Sequence, residues 1–141
     1  MKNAIEDFNK TRAEIISEII DDITRSVPII KNLFESVSLS INSGKYEEAH
    51  KILESVITTL FLISQMISAL EEEVGEKIEE IKINGEDITT VQKRWIEKLE
   101  ELKRCVVKND MVKVGDIIAY ELPIEIEKQV EILKKLIEKG K

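Results

Sequence analysis

An all-α antiparallel helical bundle of two αα-hairpins is the fold this sequence predicts, and three observations predict it. Apolar residues recur at three- and four-residue spacings along almost the whole chain. Five glycines and two prolines in 141 residues leave too few turns for a sandwich or a barrel. The breaks between apolar stripes are mostly short, and short connections force neighbouring helices antiparallel. The length predicts one domain over 1–141, able to bury roughly two thirds of its unfolded surface. Four to five helices are expected, with kinks near Pro28 and Pro123.

The first helix is expected over residues 3–25. Asn3 is placed to cap it, and Glu6 falls where the reciprocal capping-box acid sits. Ile5, Phe8, Ile15, Ile16, Ile19, Ile20 and Ile23 make one broad stripe. Pro28 removes an amide and disfavours a helical Val27, so the helix either kinks there or stops, with Ser26 capping a new one. The stripe resumes with Ile30, Leu33, Phe34, Val37 and Ile41. Asn42-Ser43-Gly44 then ends it, Gly44 supplying the left-handed residue that commonly closes a helix.

The third element is the longest, from Lys45 to about Lys82, interrupted only by Gly75. As helix it would measure roughly 55 Å. Its first half is apolar nearly all round, so it is either enclosed by neighbours or buries a spare face against a partner. The sixteen residues from Ser55 to Leu70 carry no charge, but they include Thr58, Thr59 and Gln65. A membrane span needs about 20 mostly apolar residues, so this run reads as a core helix rather than a span.

Asn84-Gly85 signals a turn within a loop over 83–88. Thr89 with Gln92 makes a capping box opening a fourth helix, 90–107, whose stripe is Val91, Trp95, Leu99, Leu102 and Val106. Asn109-Asp110 breaks it, and Asp110 is the expected cap of a fifth helix reaching about Lys139. Pro123 should kink that helix near Ala119. The turn at Ser43-Gly44-Lys45 and the segment Asn109-Asp110-Met111 superpose at an offset of 66, which matches Ala49 with Gly115. Two related αα-hairpins would produce this echo, and so would the residue types that any helical hairpin selects.

The net charge of −7 is concentrated. Glu71 to Asp87 holds eight acids and two lysines. An antiparallel hairpin turning near Glu86 would set Glu79 near Lys93 and Glu76 near Trp95 to Glu97. The acids then either hold that register by exposed ion pairs or form a docking surface for a basic partner. Both halves of the chain are acidic, net −3 over 1–70 and −4 over 71–141, which disfavours a nucleic-acid binder.

Chemistry is excluded mainly by counting. One cysteine gives no disulfide framework. Glu47 and His50 have the Glu-x-x-His spacing of di-iron bundles, but those need two such units and the chain has one histidine. His50 is expected at the surface near Glu54, and Cys105 as a half-buried small hydrophobe. No phosphate loop or nucleophile elbow is present. No catalytic, cofactor-binding or metal residue is therefore expected. The N-terminus lacks a secretory pattern, which predicts a cytoplasmic protein. Its 24 isoleucines and 17 lysines suit a bacterium of AT-rich genome or warm habitat.

The unequal helix lengths leave part of an apolar stripe without an internal partner, and such patches mark interaction surfaces. The candidate interface is Val56, Leu60, Phe61, Ile63 and Met66. The stretch Ile41-Asn42-Ser43-Gly44-Lys45-Tyr46-Glu47-Glu48-Ala49, followed by an uncharged helix, resembles the mid-chain turn of flagellin-specific export chaperones. That resemblance implies a small cytoplasmic four-helix bundle holding a helical segment of flagellin. Val114-Gly115-Asp116-Ile117-Ile118-Ala119-Tyr120-Glu121-Leu122 resembles an uncharacterised family of small helical proteins from Gram-positive anaerobes. Neither carries a functional residue across. The expected function is a non-enzymatic helical interaction protein covering an apolar helix face with a second copy or a partner helix. The alternatives are a motility- or secretion-associated chaperone and, third, an enzyme.

Overall fold

Thr11 opens the first described helix of the computed structural model, which describes residues 11–140. Its hydroxyl accepts from the Glu14 amide at 3.2 Å, and α1 runs Arg12–Asn42. The helix that carries the stripe thus begins at Arg12. The expected cap at Asn3, with Ile5 and Phe8, lies outside the described residues. α1 passes through Pro28 without a break. Ser26 caps nothing, since its hydroxyl donates back to the Asp22 carbonyl at 2.8 Å. Pro28 sits on the exposed side of the helix while Ile23, Val27 and Ile30 are buried. The carbonyl that proline's missing amide leaves unpaired therefore faces water, and the helix tolerates it.

Two corners of the same design turn the chain at one end of the bundle. After α1, Lys45 N–H donates to Ser40 O at 2.8 Å and Gly44 N–H to Ile41 O at 3.1 Å, with Gly44 at φ 74°. After the helix Ile88–Val107 (α3), Asp110 N–H donates to Cys105 O at 2.9 Å and Asn109 N–H to Val106 O at 3.1 Å, with Asn109 at φ 60°. Both are complete Schellman motifs, one closed by glycine and one by asparagine, the other residue that tolerates this conformation. The echo is structural, but its offset is one residue less than the sequence suggested. Gly44 matches Asn109, and Ala49 matches Val114 rather than Gly115; both Ala49 and Val114 are fully buried. Asp110 is the N-cap of the next helix, accepting from Lys113 N–H at 3.3 Å, whereas Lys45 in the matching position makes no side-chain cap. Asp110→Ala is expected to cost about 1 kcal/mol, read by thermal or urea unfolding. Lys45→Ala is the neutral comparison.

α2 runs Tyr46–Val74 and ends at Gly75, whose φ of 68° and ψ of −135° are open only to glycine. A 3₁₀ helix, Gly75–Glu80, follows. The strands β1 (Lys82–Ile83) and β2 (Glu86–Asp87) then pair antiparallel. Asn84 and Gly85 link them at φ 52° and 83°, the signature of a tight type I′ hairpin. This replaces the helix expected to Lys82 and the loop expected at 83–88. The reason is Ile81 and Ile83, both buried at two-residue spacing, which an extended backbone achieves and a helix does not. α3 starts two residues earlier than expected. Its N-cap is Asp87, not Thr89, and this brings Ile88 into the core.

The last rod is α4 (Met111–Asp116), a π-helical turn (Ile117–Glu121) and α5 (Leu122–Gly140). The disturbance expected near Ala119 is that π turn, in which Leu122 N–H reaches back to Ile117 O. Widening the ladder by one residue accommodates Pro123 and turns both Ile117 and Ile118 inward. α1 packs on α2 and α5, α2 on α5 and α3, and one apolar cluster runs through all of them. Trp95 of α3 is fully buried, and its indole N–H donates to Ser64 Oγ of α2 at 2.6 Å. The all-α bundle holds, with a two-residue hairpin added at one end.

Candidate interaction surface

α2 is a two-faced helix. Ala49, Leu53, Val56, Leu60, Ile63, Ser64 and Ile67 lie on its inner face and are buried. Three of the five residues expected at an interface are therefore core: Val56 is 2% exposed, Leu60 0% and Ile63 5%. They are closed to any partner while the bundle is intact. Phe61 and Met66 are half-buried at the edges. The split follows the polar residues, since Thr58, Thr59, Gln65 and Ser68 all fall away from the Leu53–Leu60–Ile67 line.

The outer stripe descends through Thr58, Leu62, Gln65 and Ala69 to Glu72, all exposed, with Leu62 at 53%. It is uncharged until Glu72. The hydroxyls of Thr58 and Thr59 donate to the carbonyls of Glu54 and Ser55, at 2.9 and 3.0 Å. Their hydroxyls are thus engaged by the helix itself. The segment Tyr46–Glu80 is long and apolar enough to cross a membrane by length and composition, and only 33% of its most apolar window is buried inside the protein.

Beside this stripe a groove of about 410 Å³ separates α2 from α3. Phe61, Ser64, Gln65, Ala69 and Glu72 form one side and Ile96 the other. At the Phe61 end, Lys103 Nζ stands 6.0 Å from the ring centroid. At the other end Glu71 is half-buried; burial pushes its carboxyl above the ordinary value, and a hydrogen bond with Gln92 partly opposes that.

The acidic run is wired differently from the expected cross-hairpin register. Trp95 faces Ser64 and Gln92 faces Glu71, because the 3₁₀ helix and hairpin, rather than helical turns, fill the connection. Glu86 instead binds Arg94 through two hydrogen bonds of 2.8 and 3.1 Å, which hold its carboxyl below the ordinary value. Arg94 also reaches Glu125 of α5 at 2.9 Å, and Lys128 stands 3.8 Å from Glu86. Glu80 pairs with Lys139 at 2.7 Å, Asp87 with Lys82, and Lys98 with Glu121. The acids of the run are therefore shared between α3, through Arg94 and Gln92, and α5, through Lys128 and Lys139. Glu72, Glu76 and Glu79 are exposed and form no ion pair among the described residues.

The remaining candidates are quiet. His50 Nδ1 lies 3.4 Å from Glu54 Oε1 near the surface, as its spacing suggested. Cys105 is a buried free thiol on α3, more enclosed than expected. Among the described residues, no group of three or more His, Cys, Asp or Glu is placed to hold a metal. A second groove, of about 480 Å³, runs between α1 and the π turn past Leu39, Ala119 and Pro123, with the Lys31–Glu127 ion pair at one end.

A family model described as a domain of unknown function, DUF8042, matches residues 18–132, from α1 to α5. No curated protein and no solved structure matches the chain, so neither short resemblance gains a relative.

Proposed function

We propose that this chain, which belongs to the DUF8042 family, is a non-enzymatic helical interaction module of the bacterial cytoplasm. The outer face of α2 is the surface that another protein covers. One observation carries this reading: in a chain that is 35% charged, a continuous helical stripe from Thr58 to Ala69 is both exposed and free of charge. Solvated helix faces normally carry charge, and exposed apolar stripes mark interfaces. The inner face of the same helix packs on α1, α3 and α5, so its apolar content serves two contacts rather than one. A motility- or secretion-associated chaperone is a narrower form of this reading, in which the groove between α2 and α3 holds a client helix.

The test is site-specific photocrosslinking in the producing cells. A photoreactive residue at Leu62 is compared with one at Thr24, which is exposed on α1. Protein adducts of discrete mass at position 62, and few at 24, are expected. Equal labelling at both positions, or adducts with lipid alone, would overturn the reading.

A further inference from the structure

The π turn leaves backbone acceptors without donors, and it does so at the wall of a groove. Leu122 N–H is drawn back to Ile117 O, and Pro123 has no N–H. From Leu122 onward the α ladder resumes, with Glu121 as the cap whose carbonyl takes Glu125 N–H. The carbonyls of Ile118, Ala119 and Tyr120 are left with one amide, that of Ile124, so two of the three have no backbone donor. Single π turns inside α-helices recur at functional sites.

Ile118 and Ala119 line the groove of about 480 Å³ between α1 and the π turn, together with Phe34, Glu35, Ser38 and Leu39. Its walls are mostly apolar, and Leu39 is 67% exposed. Its polar groups are short of donors. Glu35 is exposed and forms no ion pair among the described residues, and the Ser38 hydroxyl makes no hydrogen bond among them. Lys31, the cation in the lining, is engaged by Glu127. An apolar concavity with spare acceptors and a neutralised cation suits a ligand with an apolar body and a donor-bearing, positive head.

We propose that this groove binds a small primary amine, its alkyl or aryl body against Leu39, Ile118 and Pro123 and its ammonium among the Glu35 carboxylate and the free carbonyls of the π turn. An ammonium brings three donors and no acceptor. A carboxylate or phosphate head would find only Lys31, whose charge Glu127 already balances. The volume lies within the ~300–1,000 Å³ of small-molecule pockets. The site shares no residue with the outer stripe of α2, so it stands apart from whatever covers that helix.

The experiment follows the backbone amide resonances of the isotopically labelled full chain during titration with hexylamine, hexanol and hexanoate. Hexylamine is expected to give saturable shifts at Glu35, Ser38, Leu39, Ala119 and Tyr120, and the other two probes to bind about tenfold more weakly or worse. Glu35→Gln should cost hexylamine about tenfold in affinity and leave hexanol unchanged. Glu131→Gln, an exposed acid of α5 outside this groove, should leave both unchanged. Ala119→Leu, which fills the groove from an exposed position, should abolish the shifts. Circular dichroism of each variant checks that the fold is kept. Shifts that never saturate or that scatter over the acidic surface would overturn the proposal. So would equal binding of hexanol, equal losses in the two glutamate variants, or binding that survives Ala119→Leu.

Discussion

Trp95→Ala is expected to destabilise the protein by about 3–5 kcal/mol, a large part of the ~5–15 kcal/mol typical of a domain. Trp95 is the bulkiest fully buried side chain and stands where α3 meets α2. Its indole N–H donates to Ser64 Oγ, and that hydroxyl in turn donates to the Leu60 carbonyl at 3.1 Å. Truncation removes the ring's contacts and leaves a cavity that helices tied by short corners cannot close. Urea unfolding followed by far-ultraviolet circular dichroism measures the loss. A change below about 1 kcal/mol would mean that α3 packs without the indole.

Gln129→Met is expected to act in the opposite direction, raising stability by about 1–3 kcal/mol. Gln129 is fully buried on α5, and neither its amide nitrogen nor its amide oxygen finds a hydrogen-bond partner in the protein. Methionine has nearly the same length and flexibility and no polar group to desolvate. Glu125, one turn earlier and also buried, is a different case, because its Oε1 holds Arg94. Thermal unfolding by calorimetry decides the matter. A lower melting temperature for Gln129→Met would show that the amide is bonded in solution and that the core depends on it.

The helices were legible because their stripes are long and regular, and their corners because Gly44 and Asp110 stand where a stop and a cap are needed. Pro123 gave the place of the π turn but not its form. Other features were illegible for physical reasons. Pro28 breaks a helix only if the freed carbonyl is buried, and burial is a tertiary fact. Ile81 and Ile83 look like the tail of a helical stripe until the core that receives them is known. Thr89 with Gln92 satisfies the capping-box pattern, but burying Ile88 starts the helix earlier. Chain proximity points the acids of 71–87 at α3, and Arg94 does bind Glu86, but Lys128 and Lys139 approach them from α5, which no local pattern foretells. At the candidate site, the absence of charge from Ser55 to Leu70 located the right helix. Val56, Leu60 and Ile63 are its core side, and the hydroxyl and amide residues Thr58, Thr59 and Gln65 mark the opposite, exposed side.

Ser64 belongs at once to the wall of the α2–α3 groove and to the hydrogen bond of the chain's only tryptophan. The protein therefore carries its own optical gauge. An occupant that touches Ser64 is expected to disturb the hydroxyl on which the indole N–H rests, so that the emission of Trp95 shifts in colour or yield without any label. The same residue that ties α3 to α2 makes the groove's occupancy visible from inside the fold.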